Sequence, residues 1–261
     1  MILVDGAPLD VVPADDRGLL YGDGLFETIR FDRGLAALWP RHMGRLARDA
    51  DRLGLAMPDP TLLVEEARRV LPGEAGVVRI TVTRGSGARG YAAPDGMAGR
   101  RIVAGHPLPK VHGGPLRVIL CESRLAAGGS LAGMKHLGRL EQVLGAREVL
   151  EAGAEEGIML DPAGRPVCAT SANLLIRLHG RWVTPAVEGA GVAGVFRDWL
   201  LEHATVAVED VTREQLDAAS AAVLINAVRG PRSVASMDGR ALDVAAADAF
   251  AAEAGVPWSA G

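Results

Sequence analysis

The stretch LAGMKHLGRLEQ, residues 131–142, carries Lys135. Of the 28 lysines and arginines in the chain, two are lysines, Lys110 and Lys135; every other basic position of this kind holds arginine. An amine condenses with an aldehyde, whereas a guanidinium stays protonated and does not. Abundant Arg, Ala and Gly also follow from a biased base composition. Counting alone therefore leaves Lys135 open between an incidental lysine and a Schiff-base nucleophile.

Working outward, Leu137, Leu140 and Leu144 recur at helical spacing and predict a helix over 137–151. Upstream, LRVILC (116–121) reads as a strand, and KVHGGP (110–115) has the Gly and Pro of a linker without apolar periodicity. Earlier still, GVVRITVTRG (76–85) alternates Val78, Ile80 and Val82 against Arg79, Thr81 and Thr83, the pattern of a half-buried strand. LLYGDGLFETIRF (19–31) leaves a Gly-rich turn as a strand with Phe26, Thr28 and Arg30 on one face and Glu27 and Ile29 on the other. Helices are predicted over RHMGRLARDADRLGL (41–55), stopped at Gly54, and TLLVEEARRVL (61–71), with Thr61 as its N-cap. Beyond Lys135, NLLIRLHGRWVTP (173–185) reads as a hairpin turning at His179-Gly180, AGVFRDWLLEHA (193–204) as a helix opened by glycines, AAVLINAV (221–228) as a strand and DVAAADAFAAEAG (243–255) as a closing helix. Strands and helices mix without strict alternation, so the fold class is mixed α/β (α+β) in two α/β modules. The expected division is a small N-terminal domain, 1–109, a linker, 110–113, and a large C-terminal domain, 114–261.

The totals exclude several classes. The net charge of −4 gives no electrostatic case for nucleic acid or an anionic membrane. No apolar run reaches the ~18–20 residues of a membrane span, and the N-terminus lacks the basic-then-apolar order of a signal peptide. Cys121 and Cys168 do not make a disulfide framework, which points to the cytoplasm. The six histidines show no metal-ligand spacing, so no metal is expected.

The segments YGDGLFETIR (21–30), HMGRL (42–46), TRGSGARGY (83–91), GMKHLGRLEQVL (133–144), SANLLIR (171–177) and GVAGVFR (191–197) stand in the order and approximate spacing of one family. They resemble the fold-type IV pyridoxal-phosphate enzymes, which include branched-chain and D-amino-acid aminotransferases and 4-amino-4-deoxychorismate lyases; RGSGARGY and AGMKHLGRLEQ look most like the lyase branch. The resemblance implies two α/β domains with pyridoxal 5'-phosphate at their interface, a homodimer, and elimination of pyruvate from aminodeoxychorismate to give 4-aminobenzoate for folate synthesis. By it, Lys135 bonds to the cofactor aldehyde and Arg45 holds its phosphate. The backbone N–H groups of Val195 and Phe196, and the turn at Asn226 and Ala227, bind the phosphate too. Thr28 assists proton transfer with Lys135, Arg84 and Arg89 meet substrate carboxylates, and Tyr91 closes the same substrate-binding pocket. Without the resemblance each has a plainer reading: a solvated helix arginine, a Gly-rich helix start, an Asn turn, a threonine favoured by β propensity, a polar surface loop.

One position departs from the family. Its glutamate five residues before the Asn of the "AN" pair, which faces the pyridine nitrogen, is Cys168 here, in VCATSAN (167–173). A thiol is a weak donor and a poor counter-ion, so the cofactor would be a weaker electron sink. A lyase that forms an aromatic ring has a second driving force, which favours it over the alternative, a branched-chain or D-amino-acid aminotransferase. A catalytically decayed cofactor-binding protein is the third reading.

Overall fold

The computed structural model describes residues 1–73, 75–87, 90–94, 96–110 and 113–258. Two compact units divide the chain after Pro109: one takes Met1–Pro109 together with Lys135–Gly138, the other Lys110–Met134 and Arg139–Ser259. Val111 and His112, in the expected linker, lie outside the described residues.

The first unit contains β1 (Ile2–Val4), α1 (Arg17–Tyr21), β2 (Gly24–Phe31), α2 (Trp39–Leu53), α3 (Pro60–Val70), β3 (Gly76–Thr83) and β4 (Arg100–Pro107). Its strands form an antiparallel sheet in the order β1-β4-β3-β2. Alternation sends Leu25, Ile29, Phe31, Val78, Ile80, Val82 and Val103 to one face, where Met43, Leu46 and Ala50 of α2 and Leu63, Ala67 and Val70 of α3 complete the core. Each such aliphatic side chain contributes ~1.5–3 kcal/mol by leaving water. The opposite face carries Phe26 and Thr28 of β2 opposite Thr81 and Arg79 of β3. Gly54 ends α2 in the left-handed conformation, as its sequence predicts. The cap of α3 is Asp59, two residues earlier than the expected Thr61: its Oδ1 accepts from the Thr61 N–H at 2.8 Å.

The second unit contains β5 (Leu116–Arg124), α4 (Leu140–Glu151), β6 (Glu156–Leu160), β7 (Pro166–Ala169), β8 (Asn173–Leu178), β9 (Arg181–Pro185), α5 (Val195–His203), β10 (Val206–Glu209), α6 (Arg213–Ala218), β11 (Ala221–Asn226), β12 (Gly230–Met237), β13 (Arg240–Ala241) and α7 (Val244–Ala254). The strand order is β10-β9-β8-β11-β12-β5-β6-β7, and β7 also pairs with β8, so six strands close on themselves. Leu116, Val118, Ile158, Leu174, Ile176, Leu224 and Val234 belong to the core of this unit. The β8–β9 turn uses positive φ at both His179 and Gly180, a geometry that suits the strand twist. The helix expected over 137–151 begins only at Leu140, because the residues before it join a strand.

Candidate active site

Residues 135–137 lie antiparallel along β2. Phe26 N–H donates to the Lys135 carbonyl at 3.0 Å, Leu137 N–H donates to the Gly24 carbonyl at 2.9 Å, and Leu25 and His136 form a bridge. Asp49, buried on α2, accepts from the Lys135 N–H at 3.1 Å. This backbone grip places Lys135 Nζ 4.1 Å from the centroid of the buried Phe26 ring. Thr28 follows two residues after Phe26 and projects from the same face. The two residues expected to cooperate, Lys135 and Thr28, therefore share one face of the sheet.

Beneath, on the core side of β2, sits a charged cluster. Glu27 is almost fully buried; Arg45 donates to it through Nε at 2.8 Å and Nη2 at 2.5 Å, and His42 Nδ1 lies 2.6 Å from its Oε2. Burial alone would raise the Glu27 pKa, but Arg45 and His42 overcome that effect and hold it at about 2. Burial, which the Glu27 carboxylate only partly opposes, pulls His42 below its ordinary range. We therefore describe His42 as a neutral ring donating from Nδ1, with a buried Nε2 that has no hydrogen-bond partner among the described residues. Arg45, the expected phosphate ligand, is thus locked in place by a carboxylate. Sequence reading missed Glu27 and His42. The signals were an acid on the apolar face of an alternating strand, and a His three residues before an Arg on one helix face.

The RGSGARGY loop is held differently from expectation. Arg84, expected at a substrate carboxylate, instead binds Asp23 through Nε at 2.8 Å and Nη2 at 3.1 Å, and reaches the carbonyls of Gly54 and Leu53 at 2.7 Å each. The reason is strand register: Gly24 pairs with Thr83, so Asp23 and Arg84 are neighbours despite their separation in sequence. Arg17 also binds Asp23 and donates to the carbonyls of Gly90 and Tyr91 at 2.8 and 2.7 Å, clamping the end of the loop. Tyr91 is 87% exposed, with its ring edge-on to Tyr21. Arg89 lies outside the described residues.

In the second unit, α5 starts at Gly194 with no side-chain cap, leaving its first N–H groups for another acceptor. Val195 and Phe196, the first two residues of α5, are buried. A Cβ on Gly194 would collide with Asn173 Oδ1. Asn226 shapes its turn: its Oδ1 accepts from the N–H groups of Val228 and Arg229 at 3.0 and 2.8 Å, and Ala227 lies inside that turn. Cys168 sits where the sheet closes, paired with Met159 on one side and Asn173 on the other. Burial pushes its thiol up to about 12, which keeps it neutral.

The arrangement of the first unit offers an amine, a hydroxyl and cations on one face. Among the described residues no group of His, Cys, Asp or Glu could hold a metal ion, and no helix is long and apolar enough to cross a membrane. The chain is 31% identical over 249 residues to an aminodeoxychorismate lyase of Vibrio harveyi, covering 91% of each sequence. Its fold matches the crystal structure of 4-amino-4-deoxychorismate lyase from Pseudomonas aeruginosa with a TM-score of 0.89, at 39% identity and 96% coverage of both chains. A hypothetical aminotransferase from Mycobacterium tuberculosis in a PLP-bound form shares the fold alone, with a TM-score of 0.81 at 23% identity over 97% of each chain. The pattern of the Amino-transferase class IV family spans residues 24–237, and the chain, a mixed α/β protein of fold-type IV, belongs to that family.

Proposed function

We propose that this protein is a 4-amino-4-deoxychorismate lyase that uses pyridoxal 5'-phosphate, releases pyruvate and forms 4-aminobenzoate for folate synthesis. The observation that carries this reading is the near full-length likeness to proteins named as such lyases, combined with the Lys135 amine held against Phe26 on the Thr28 face.

The chain's groups fit the cofactor. Lys135 offers the amine for its aldehyde. The uncapped start of α5 at Val195 and Phe196 offers backbone N–H groups for a phosphate dianion, and the turn at Asn226 and Ala227 is the second candidate for that role. Arg45, fixed by Glu27, offers a guanidinium. When bound, the cofactor supplies an electron sink for charge developing at C4 of the substrate. Lys135 Nζ takes the C4 proton, and Thr28 hydrogen-bonds beside it. The C–O bond at C3 breaks as the ring becomes aromatic, and the departing enolpyruvate takes up a proton to become pyruvate. Arg89 and Tyr91 are the loop's candidates for orienting the substrate. Cys168, a neutral thiol, is no counter-ion for a ring nitrogen, which weighs against an aminotransferase more than against a lyase.

We place the protein in the cytoplasm, where its two thiols stay reduced, and as a homodimer. The exposed Leu140, Val143, Leu144 and Leu150 of α4, and Leu19, Leu20 and Tyr21 of α1, are apolar surfaces that a second copy would cover. The direct test is to incubate cofactor-loaded protein with aminodeoxychorismate and follow pyruvate and 4-aminobenzoate, with Lys135→Ala as the control for spontaneous breakdown. Equimolar products from wild type alone support the lyase; no products overturn it.

A further inference from the structure

Arg79 differs from five other arginines of its unit. Arg17, Arg45, Arg84, Arg100 and Arg101 each hold a carboxylate: Asp23, Glu27, Asp23, Asp16 and Glu66. The Arg79 side chain makes no hydrogen bond or ion pair with any described residue. Its guanidinium stacks on Phe26, with Cζ 4.0 Å from the ring centroid, and Lys135 Nζ lies 4.1 Å from the same centroid. In register, Arg79 is directly opposite Thr28. The residue is exposed by surface area, yet packing around it lowers its pKa and no acid raises it back.

Arg79 and Lys135 both lie over one ring, Thr28 is across the strand pair from Arg79, and the Arg79 guanidinium has no carboxylate among the described residues. A guanidinium presents its N–H groups in its own plane, a geometry that receives a carboxylate bidentately. Pre-orientation of this kind supplies position and not chemistry. We infer that Arg79 is a substrate-binding residue that clamps a carboxylate of the substrate beside Lys135 and Thr28. This rests on the lyase reading for the identity of the substrate, which carries one carboxylate on its ring and one on its enolpyruvyl group.

The test compares wild type with Arg79→Met and Arg79→Lys as folded, cofactor-loaded enzymes. Five readouts are taken: KM and kcat for aminodeoxychorismate, and Kd for 4-aminobenzoate, pyruvate and the uncharged 4-aminobenzamide. Arg79→Met is expected to raise KM at least tenfold, with a smaller change in kcat. It should weaken one of the two acids at least tenfold and leave the amide within twofold; the acid affected identifies which carboxylate is clamped. Arg79→Lys should recover part of the loss. Unchanged KM and unchanged Kd for both acids overturn the assignment, as does equal weakening of the amide, which would mark a packing role. A wild type without lyase turnover sinks the lyase reading separately. The acids still report in that case: an Arg79-dependent Kd for either supports the clamp, and none overturns it.

Discussion

Glu27 shows how one side chain reports on its surroundings. Its carboxylate is ionised in the fold down to about pH 2 because Arg45 and His42 outweigh its burial, whereas an ordinary glutamate takes a proton near 4.5. A depressed carboxylate stabilises the fold fully above its unfolded value and loses that contribution as pH falls through the folded one. Stability is therefore expected to drop by a few kcal/mol between about pH 4.5 and 2. His42, held neutral by burial, adds to the acid loss from about 6.5 downward, because the unfolded chain takes the proton more readily. Urea denaturation of wild type and Glu27→Gln across this range checks both: the variant should be less stable at pH 7 by ~3–5 kcal/mol, because Arg45 loses its buried partner, and its slope between 4.5 and 2 should flatten. Equal slopes would show that Glu27 is not the titrating group. Cys168 and Cys121 have thiols pushed up to about 12 by burial, so neither should react with a disulfide reagent at pH 8 until the protein is unfolded. Reactive native thiols would contradict that burial. Cys168→Glu is expected to shift the visible absorption of the cofactor-loaded protein without abolishing turnover; an unchanged spectrum would place Cys168 away from the cofactor ring.

At the scale of elements, caps and close approaches set the predictions. Asp59→Ala removes the acceptor at the start of α3 and should cost ~1 kcal/mol, seen as a lower denaturation midpoint with an unchanged m value. Gly194→Ala should fold yet bind phosphate poorly, since its methyl drives Asn173 from its place under α5; wild-type affinity for the cofactor would remove the start of α5 from the site. Much at this scale was legible. The alternation of β3, the helical spacing and glycine stop of α2, and the His179-Gly180 turn are local patterns, and local physics decides them. The misses share a long-range cause. A helix as short as α1 stands on Asp16 capping it and Gly22 ending it, and leaves no apolar period to find. The paired β12 opens with Gly230-Pro231, which reads as a turn until β11 and β5 flank it. Arg84 looks like a loop cation because Asp23 reaches it only through strand register.

For the whole molecule, Lys135–Gly138 rejoins the first unit, a return that no local pattern announces because it depends on pairing with β2 about 110 residues earlier. The same return fixes Lys135 in place: β2 and α2 hold its backbone, and its Nζ lies over the Phe26 ring. The exposed apolar faces of α1 and α4 predict a dimer by analytical ultracentrifugation at micromolar concentration, weakened by Leu140→Glu; a monomer would leave those faces unexplained. The central claim, that Lys135 is the amine that bonds to the cofactor, has the most direct measurement. Cofactor-loaded protein is reduced with borohydride, digested and mapped by mass spectrometry. The account predicts one pyridoxyl adduct, on Lys135. An adduct on Lys110, or none at all, would contradict it.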